Sequence, residues 1–264
     1  MSLVPKVSQL FRYPIKSCKA ESVSFLDFDK WGPVGDRRWL ITTDDFSDIV
    51  TQRKHPKLSK LEVLIENPTT LSLSAPNFSN QSFALSQDGP LVEGNVWKNY
   101  FQARDAGDEI AAWLSDFLSQ SVRLLATDPN FDRKVSQQPD HQVAFADAYP
   151  LLVISEASLD WLNQHLDAPV DMTRFRPNIV LRDCEPFQED RWQRIQIGDI
   201  ALKSAGPCTR CIMTTVDPEK GDYSGPEPLK TLSQIRKTET GVVFGQNYLI
   251  ETKTGRLCLG EIVS

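Results

Sequence analysis

The first hundred residues are cut into short runs of alternating, β-branched and aromatic residues, and Pro, Gly, Asn and Asp stand between the runs. This punctuation constrains the fold more than any other feature. "RRWLITT" (37–43), "LEVLIEN" (61–67), "LSLSAP" (71–76) and "GNVWKNYFQAR" (94–104) each read as a strand, and "ENPTTLSL" as a hairpin connection. The N-terminal "MSLVPKVSQLFRYPIKSCK" reads as a first strand, because its apolar run is too short and too interrupted for a signal peptide.

The period then changes. Asp105 stands where a helix cap belongs, followed by Ile110, Trp113, Leu114, Phe117 and Leu118 at helical spacing. A second helix starts from Ser155, with Leu159, Leu162 and Leu166 on one stripe. Residues 126–150 between them are polar and contain proline, and they read as a long loop, functional or disordered rather than idle. From residue 178 strands return in "NIVLR", "RIQIGDIALKS", "VVFGQNYLIE" and "RLCLGEIV". The fold class is therefore mainly β with a few helices (α+β), a β-rich first part joined to a β-barrel-like second part. The tryptophans Trp39, Trp97, Trp113, Trp161 and Trp192 read as core.

With 264 residues the chain can bury a sizeable core. Its 29 Lys+Arg against 35 Asp+Glu give a net charge of −6, without the chain-wide basic footprint of a nucleic-acid binder. No run of about 18 apolar residues exists to cross a membrane. Five scattered cysteines, an odd number, argue against a disulfide framework and for a reducing compartment, which gives an expectation of cytoplasmic location.

Two of those cysteines, Cys208 and Cys211, stand in CxxC spacing. A structural zinc site needs four ligands, and neither a second CxxC nor a histidine pair is present. A redox dithiol belongs at the start of a helix. Here "IQIGDIALKSAGPC" reads as a strand entering a tight Gly206-Pro207 turn, and "IMTTVDP" is β-branched and ends at proline. A third reading uses one cysteine alone, a soft thiolate ligand flanked by Arg210, for a metal that arrives with its other ligands. Two ordinary half-buried thiols are the fourth. Spacing leaves all of these open.

Several segments occur together in a telling order: "YPIKSC" (13–18), "GDRRW" (35–39), "TQRKHPKL" (51–58), "SEASL" (155–159), "FRPNIV" (175–180), "EDRW" (189–192), "PCTRCIMTTVDPEKG" (207–221), "EPLKTL" (227–232) and "FGQN" (244–247). The set resembles the family in which a molybdenum cofactor sulfurase C-terminal (MOSC) domain follows a β-barrel partner domain. That family includes the mitochondrial amidoxime-reducing component and bacterial proteins that detoxify N-hydroxylated purines. The likeness spans about residues 1–263. It implies a MOSC N-terminal domain over 1–120 and a MOSC domain over 121–264.

The resemblance implies a molybdenum–molybdopterin cofactor whose metal takes one protein ligand, Cys211. It places Lys16, Ser17, Arg37, Asp147, Arg176, Asn178, Thr209 and Arg210 around that cofactor. Arginine forks suit its phosphate, Lys16 supplies a point charge, and hydroxyls and an amide suit its polar ring. Asp147, in "FADAYP", matches a carboxylate near the metal and is a candidate catalytic proton relay with Cys211 as the catalytic ligand. Ala146 and Ala148 stand where the amidoxime reducer carries hydroxyl residues. Arg53 reads equally as structural.

The implied activity is reduction of N-hydroxylated small molecules to amines. No cysteine set for an iron–sulfur cluster is present, so electrons come from a separate donor protein; neither a nucleic-acid polymer nor a membrane is an expected partner. The alternatives are a sulfur carrier with a persulfide on Cys211, and a non-catalytic cofactor carrier.

Overall fold

The computed structural model describes residues 4–252 and 254–264; the first three residues of the expected N-terminal strand lie outside them. Strands dominate, with three α-helices and four short 3-10 turns among the described residues.

The main sheet has eight strands. Along it run Arg194–Ile197, Ile200–Thr209, Gly241–Ile250, Leu151–Ser155, Ile179–Arg182, Lys6–Arg12 and Glu21–Val23, and Lys237–Thr238 pairs onto Gly241–Ile250. Its central pair, Leu151–Ser155 and Ile179–Arg182, is parallel, and helix Glu156–Asn163 lies on the crossover. A parallel strand is covered on both faces, and "LLVIS" is buried throughout. Leu151, Val153, Ile179 and Leu181 pack on one face; Leu152, Ile154 and Val180 pack on the other, as a period of two requires. The first strand, Lys6–Arg12, is hydrogen-bonded to Ile179–Arg182, so the start of the chain is built into the sheet of its second half.

The first half also forms a four-stranded sheet (Trp39–Thr43, Val122–Ala126, Asn99–Asp105, Leu91–Val96) and a three-stranded one (Glu62–Asn67, Thr70–Ala75, Phe78–Ala84), while Phe25–Asp29 and Gly32–Pro33 join Gly255–Cys258. Helix Asp108–Leu118 presses Ile110, Leu114, Phe117 and Leu118 into the core they share with Leu71, Leu73 and Phe83. Among the described residues no helix is long and apolar enough to cross a membrane.

The structure corrects several local readings. Asp105 ends a strand rather than capping the helix: its Oδ1 accepts from the Gly107 N–H at 2.9 Å and its Oδ2 from Arg123. The helix begins at Asp108, where Gly107 with φ 112° turns the chain. Ser155 does cap the second helix, accepting from the Ser158 N–H, but that helix ends at Asn163, short of Leu166.

Residues 94–104 are two strands, not one. Trp97 and Lys98 form the connecting turn with φ of 54° and 67°, the paired positive values of a type I′ hairpin. Likewise "RIQIGDIALKS" folds back at Gly198, and the polar 126–150 stretch holds a small hairpin, Lys134–Val135 with Gln138–Gln142. "IMTT" is a 3-10 turn, Ile212–Thr215, because the Thr214 and Thr215 hydroxyls bond back to the carbonyls of Cys211 and Ile212. Gly206-Pro207 lies within strand Ile200–Thr209 as a register shift, with Gly206 at φ 94°.

Candidate functional site

The large strand Ile200–Thr209 runs out at its C-terminal end beside the segments that follow Lys6–Arg12 and precede Leu151–Ser155. A cavity of about 640 Å3 opens there. It is lined by every residue proposed from the resemblance: Lys16, Ser17, Arg37, Asp147, Arg176, Asn178, Thr209, Arg210 and Cys211. Five cationic side chains (Lys16, Arg37, Arg53, Arg176 and Arg210) face one carboxylate, Asp147. A cavity so charged within an acidic chain favours an anionic ligand.

Tyr13 organises the cationic wall. Its ring is buried, its hydroxyl donates to the Pro177 carbonyl at 3.0 Å, and its N–H donates to Asp36. The Arg176 and Arg37 guanidiniums sit over the ring, 4.1 and 4.4 Å from its centroid. Burial raises the Tyr13 phenol well above its ordinary value, although both arginines pull the other way. Both arginines hold positive φ, 58° at Arg176 and 47° at Arg37, uncommon for residues with a side chain, and both line the cavity.

Arg37 donates to Asp36, to the Asn178 amide oxygen at 3.0 Å and to the Arg176 carbonyl. Arg176 spends Nη1 on the Cys18 carbonyl at 2.7 Å, but its Nη2 is buried with no partner. Burial brings its guanidinium down to about 10. The Nε atoms of Arg53 and Arg210 are likewise buried and unpaired. Each unsatisfied donor costs about 1–3 kcal/mol, a penalty that an acceptor-rich ligand removes.

Asn178 lines the cavity and is also tied into the protein behind it. Its amide is spent inside the protein, donating to the Phe11 carbonyl and accepting from Arg37 and the Leu152 N–H. It braces Arg37 and ties the first strand to the parallel pair. The Lys16 ammonium, largely buried, is paired with Asp147. Burial lowers the Lys16 ammonium below its usual value, and Asp147 restores part of the loss.

Asp147 is the hub. Its Oδ1 accepts from Lys16 and from the Trp97 indole N–H at 2.9 Å, while Arg53 Nη2 stands 3.9 Å from Oδ2. Partial desolvation within the cavity pushes the carboxyl up, although the side chain is 46% exposed, but Lys16, Trp97 and Arg53 together hold it well below the ordinary carboxylate range. The loop carrying it is clamped by Arg133, which the sequence reading missed. Arg133 is buried and donates to the carbonyls of Ala144, Ala146 and Asp147 at 2.7, 2.6 and 2.9 Å. In a polar, proline-containing stretch nothing marks that arginine off from a solvated one. Trp97 was also misplaced: it is 49% exposed and lines the cavity instead of the core.

Cys211 opens the 3-10 turn, half-exposed, and its carbonyl accepts from the Thr214 N–H and hydroxyl. Arg210 is not engaged with it. The guanidinium donates to the Cys208 sulfur at 2.8 Å and to the Phe175 carbonyl at 2.5 Å. Thr209 is exposed at the end of the strand and Ser17 is buried at φ 72°. Among the described residues no group of three or more His, Cys, Asp and Glu could hold a metal alone, so a metal here needs ligands carried in with it. The cationic wall, the unpaired N–H groups and the partly exposed Cys211 thiol, which Arg210 leaves free, fit an anionic cofactor of that kind.

Comparison with known proteins gives the chain's family. The MOSC N-terminal β-barrel domain model matches residues 4–121, and the MOSC domain model matches residues 140–264. The chain is similar to mitochondrial amidoxime-reducing component 1 of Danio rerio, at 38% identity covering 100% of this chain and 85% of that protein. It is 37% identical to the protein of the same name from Mus musculus, covering 98% of this chain and 82% of that one. The corresponding human protein is 34% identical, with 98% and 82% covered.

Proposed function

We propose, because this chain belongs to the MOSC family, that it reduces N-hydroxylated small molecules to amines, using a molybdenum–pterin cofactor in the cavity and electrons from a separate donor protein. The observation that carries this reading is the meeting of a cationic wall with unpaired N–H groups, a half-exposed Cys211 and the Lys16–Asp147 pair around one cavity. When bound, the cofactor supplies a redox-active metal for two-electron chemistry.

The chain's own residues do the rest. Arg176, Arg37 and Arg210 hold the anionic end of the cofactor, with Arg176 Nη2 and Arg210 Nε as the donors left free for it. Cys211 offers a single soft sulfur. The overall change, R–NHOH with two electrons and two protons to R–NH2 and water, needs protons brought to the departing oxygen. Asp147 Oδ1 is occupied by Lys16 and Trp97, so Oδ2 is the freer oxygen toward the substrate. Lys16, made more acidic by burial, is the proton source behind it.

The test is direct. Protein purified with measured molybdenum and pterin content is supplied with electrons from a reduced viologen dye and offered several N-hydroxylated compounds. Turnover in proportion to metal content is the expected result. Metal-replete protein that reduces none of them overturns the reading, and a gain of one sulfur on Cys211 in pterin-free protein points to the sulfur-carrier alternative.

A further inference from the structure

We infer that Trp97 is a specificity-determining wall of the cavity, presenting a flat face to planar N-hydroxylated aromatic substrates, and that its indole N–H fixes that face relative to the Asp147 carboxylate. This rests on the reductase reading above and adds to it a residue and a shape.

The starting observation is the backbone. Trp97 occupies the first central position of a type I′ turn with φ 54°, a position that favours Asn or Gly. A bulky aromatic residue there carries strain, and strain of this kind is held where the surroundings over-determine it. The turn is fastened from outside its own sheet: the Asn99 amide donates to the Lys134 carbonyl at 3.1 Å, tying the hairpin tip to the small hairpin ahead of Asp147.

The side chain supplies the second observation. The indole reaches from the four-stranded sheet of the first half to a loop of the second, where Nε1–H donates to Asp147 Oδ1. The Arg53 guanidinium stacks on the ring at 4.6 Å from its centroid and also faces Asp147 Oδ2 at 3.9 Å. The ring is thus fixed in position and tilt, yet half of the residue stays open at the cavity. A large apolar face left in water beside a reaction site is covered when a flat substrate stacks on it. The hydrogen bond then sets the distance from that stacked plane to the carboxylate that manages the proton.

The test uses the metal-loaded protein with a reduced viologen dye and two substrates of matched size, flat N-phenylhydroxylamine and puckered N-cyclohexylhydroxylamine. The wild type is expected to favour the phenyl compound. Trp97→Leu is expected to lower the phenyl-to-cyclohexyl ratio of kcat/KM at least tenfold, chiefly through KM, because the flat face is gone. Trp97→Phe is expected to keep most of that ratio while moving the acid limb of the kcat profile upward, because a ring remains without its N–H. A ratio within twofold of wild type in Trp97→Leu overturns the inference. Should Trp97→Leu fail to fold, an unmoved acid limb in Trp97→Phe overturns it instead. Should the wild type reduce neither compound, the reductase reading fails, and the wall is judged by calorimetric binding of the same pair: it stands if Trp97→Leu abolishes a tenfold preference for the phenyl compound and falls otherwise.

Discussion

Arg210 donates from Nη1 to the sulfur of Cys208 at 2.8 Å, so the cation expected beside Cys211 is engaged by the other cysteine of the pair. Cys208 thereby gains a role: it helps hold the Arg210 fork, whose Nη2 is fixed on the Phe175 carbonyl and whose Nε is unpaired. Cys211 remains the thiol without that contact.

The two cysteines should therefore separate on substitution. Cys211→Ser is expected to abolish N-hydroxyl reduction, falling at least a thousandfold. Cys208→Ser keeps a weaker acceptor for Arg210 and is expected to lose less than tenfold. Steady-state rates alongside metal content per chain measure both, and equal losses would return the pair to a dithiol or joint-ligand role.

Arg176→Met should divide cofactor retention from folding. Methionine keeps an apolar stem over the Tyr13 ring but loses the fork, leaving the Cys18 carbonyl without its donor at a cost of about 1 kcal/mol. Molybdenum retained after gel filtration is expected to fall at least tenfold, with a melting temperature lowered by only a few degrees. Retained metal with a large loss of stability would make Arg176 a structural residue.

Much of this was legible in the residues. The helical stripe from Ile110 to Leu118 and the Ser155 cap follow from period and composition, whereas the buried "LLVIS" strand, too short to show a period, is not read from the sequence. Hairpins were the weak point. At Trp97–Lys98 the alternation runs straight through a turn that carries neither Gly nor Asn at its centre, so one strand is read where two exist. The ordered motifs brought the cavity's residues to notice, but their pairings are products of tertiary approach. Nothing local in the sequence joins Lys16 to Asp147 across 131 positions, or aims Arg133 at three carbonyls.

Thiol reactivity offers a check that needs no turnover. Burial pushes the Cys18 and Cys184 thiols up to about 12, so both stay protonated at pH 8 as well as enclosed. Cys208, Cys211 and Cys258 are partly exposed. Metal-free native protein treated with a disulfide reagent at pH 8 is expected to show three fast thiols, with the remaining two appearing only on denaturation. Metal-loaded protein should lose one fast thiol, identified as Cys211 by peptide mapping. Fast labelling of Cys18 would contradict the packing described around it.

Glu189 lies outside the cavity and carries a separate, pH-dependent prediction. It is fully buried on a 3-10 turn, where Oε1 accepts from the Ser155 N–H at 3.1 Å and the Ser158 hydroxyl at 2.7 Å. Its Oε2 has no partner. Burial raises its carboxyl above the ordinary value, against the lowering effect of those hydrogen bonds. A raised folded pKa means that the folded state holds the proton more tightly than the unfolded chain does. Stability from this group is thus complete below the unfolded value of about 4.3 and is lost as pH rises through the folded value. Glu189→Gln keeps an acceptor for both serine donors and removes the buried charge. At pH 8 the variant is expected to be more stable by about 1–2 kcal/mol, a melting temperature higher by roughly 2–6 °C. At pH 4.5, where more of the wild-type carboxyl is protonated, the gap should shrink. Melts of both proteins across that range decide it: a variant equally or less stable than wild type at pH 8 would mean that the buried carboxylate is compensated and its pKa is not raised.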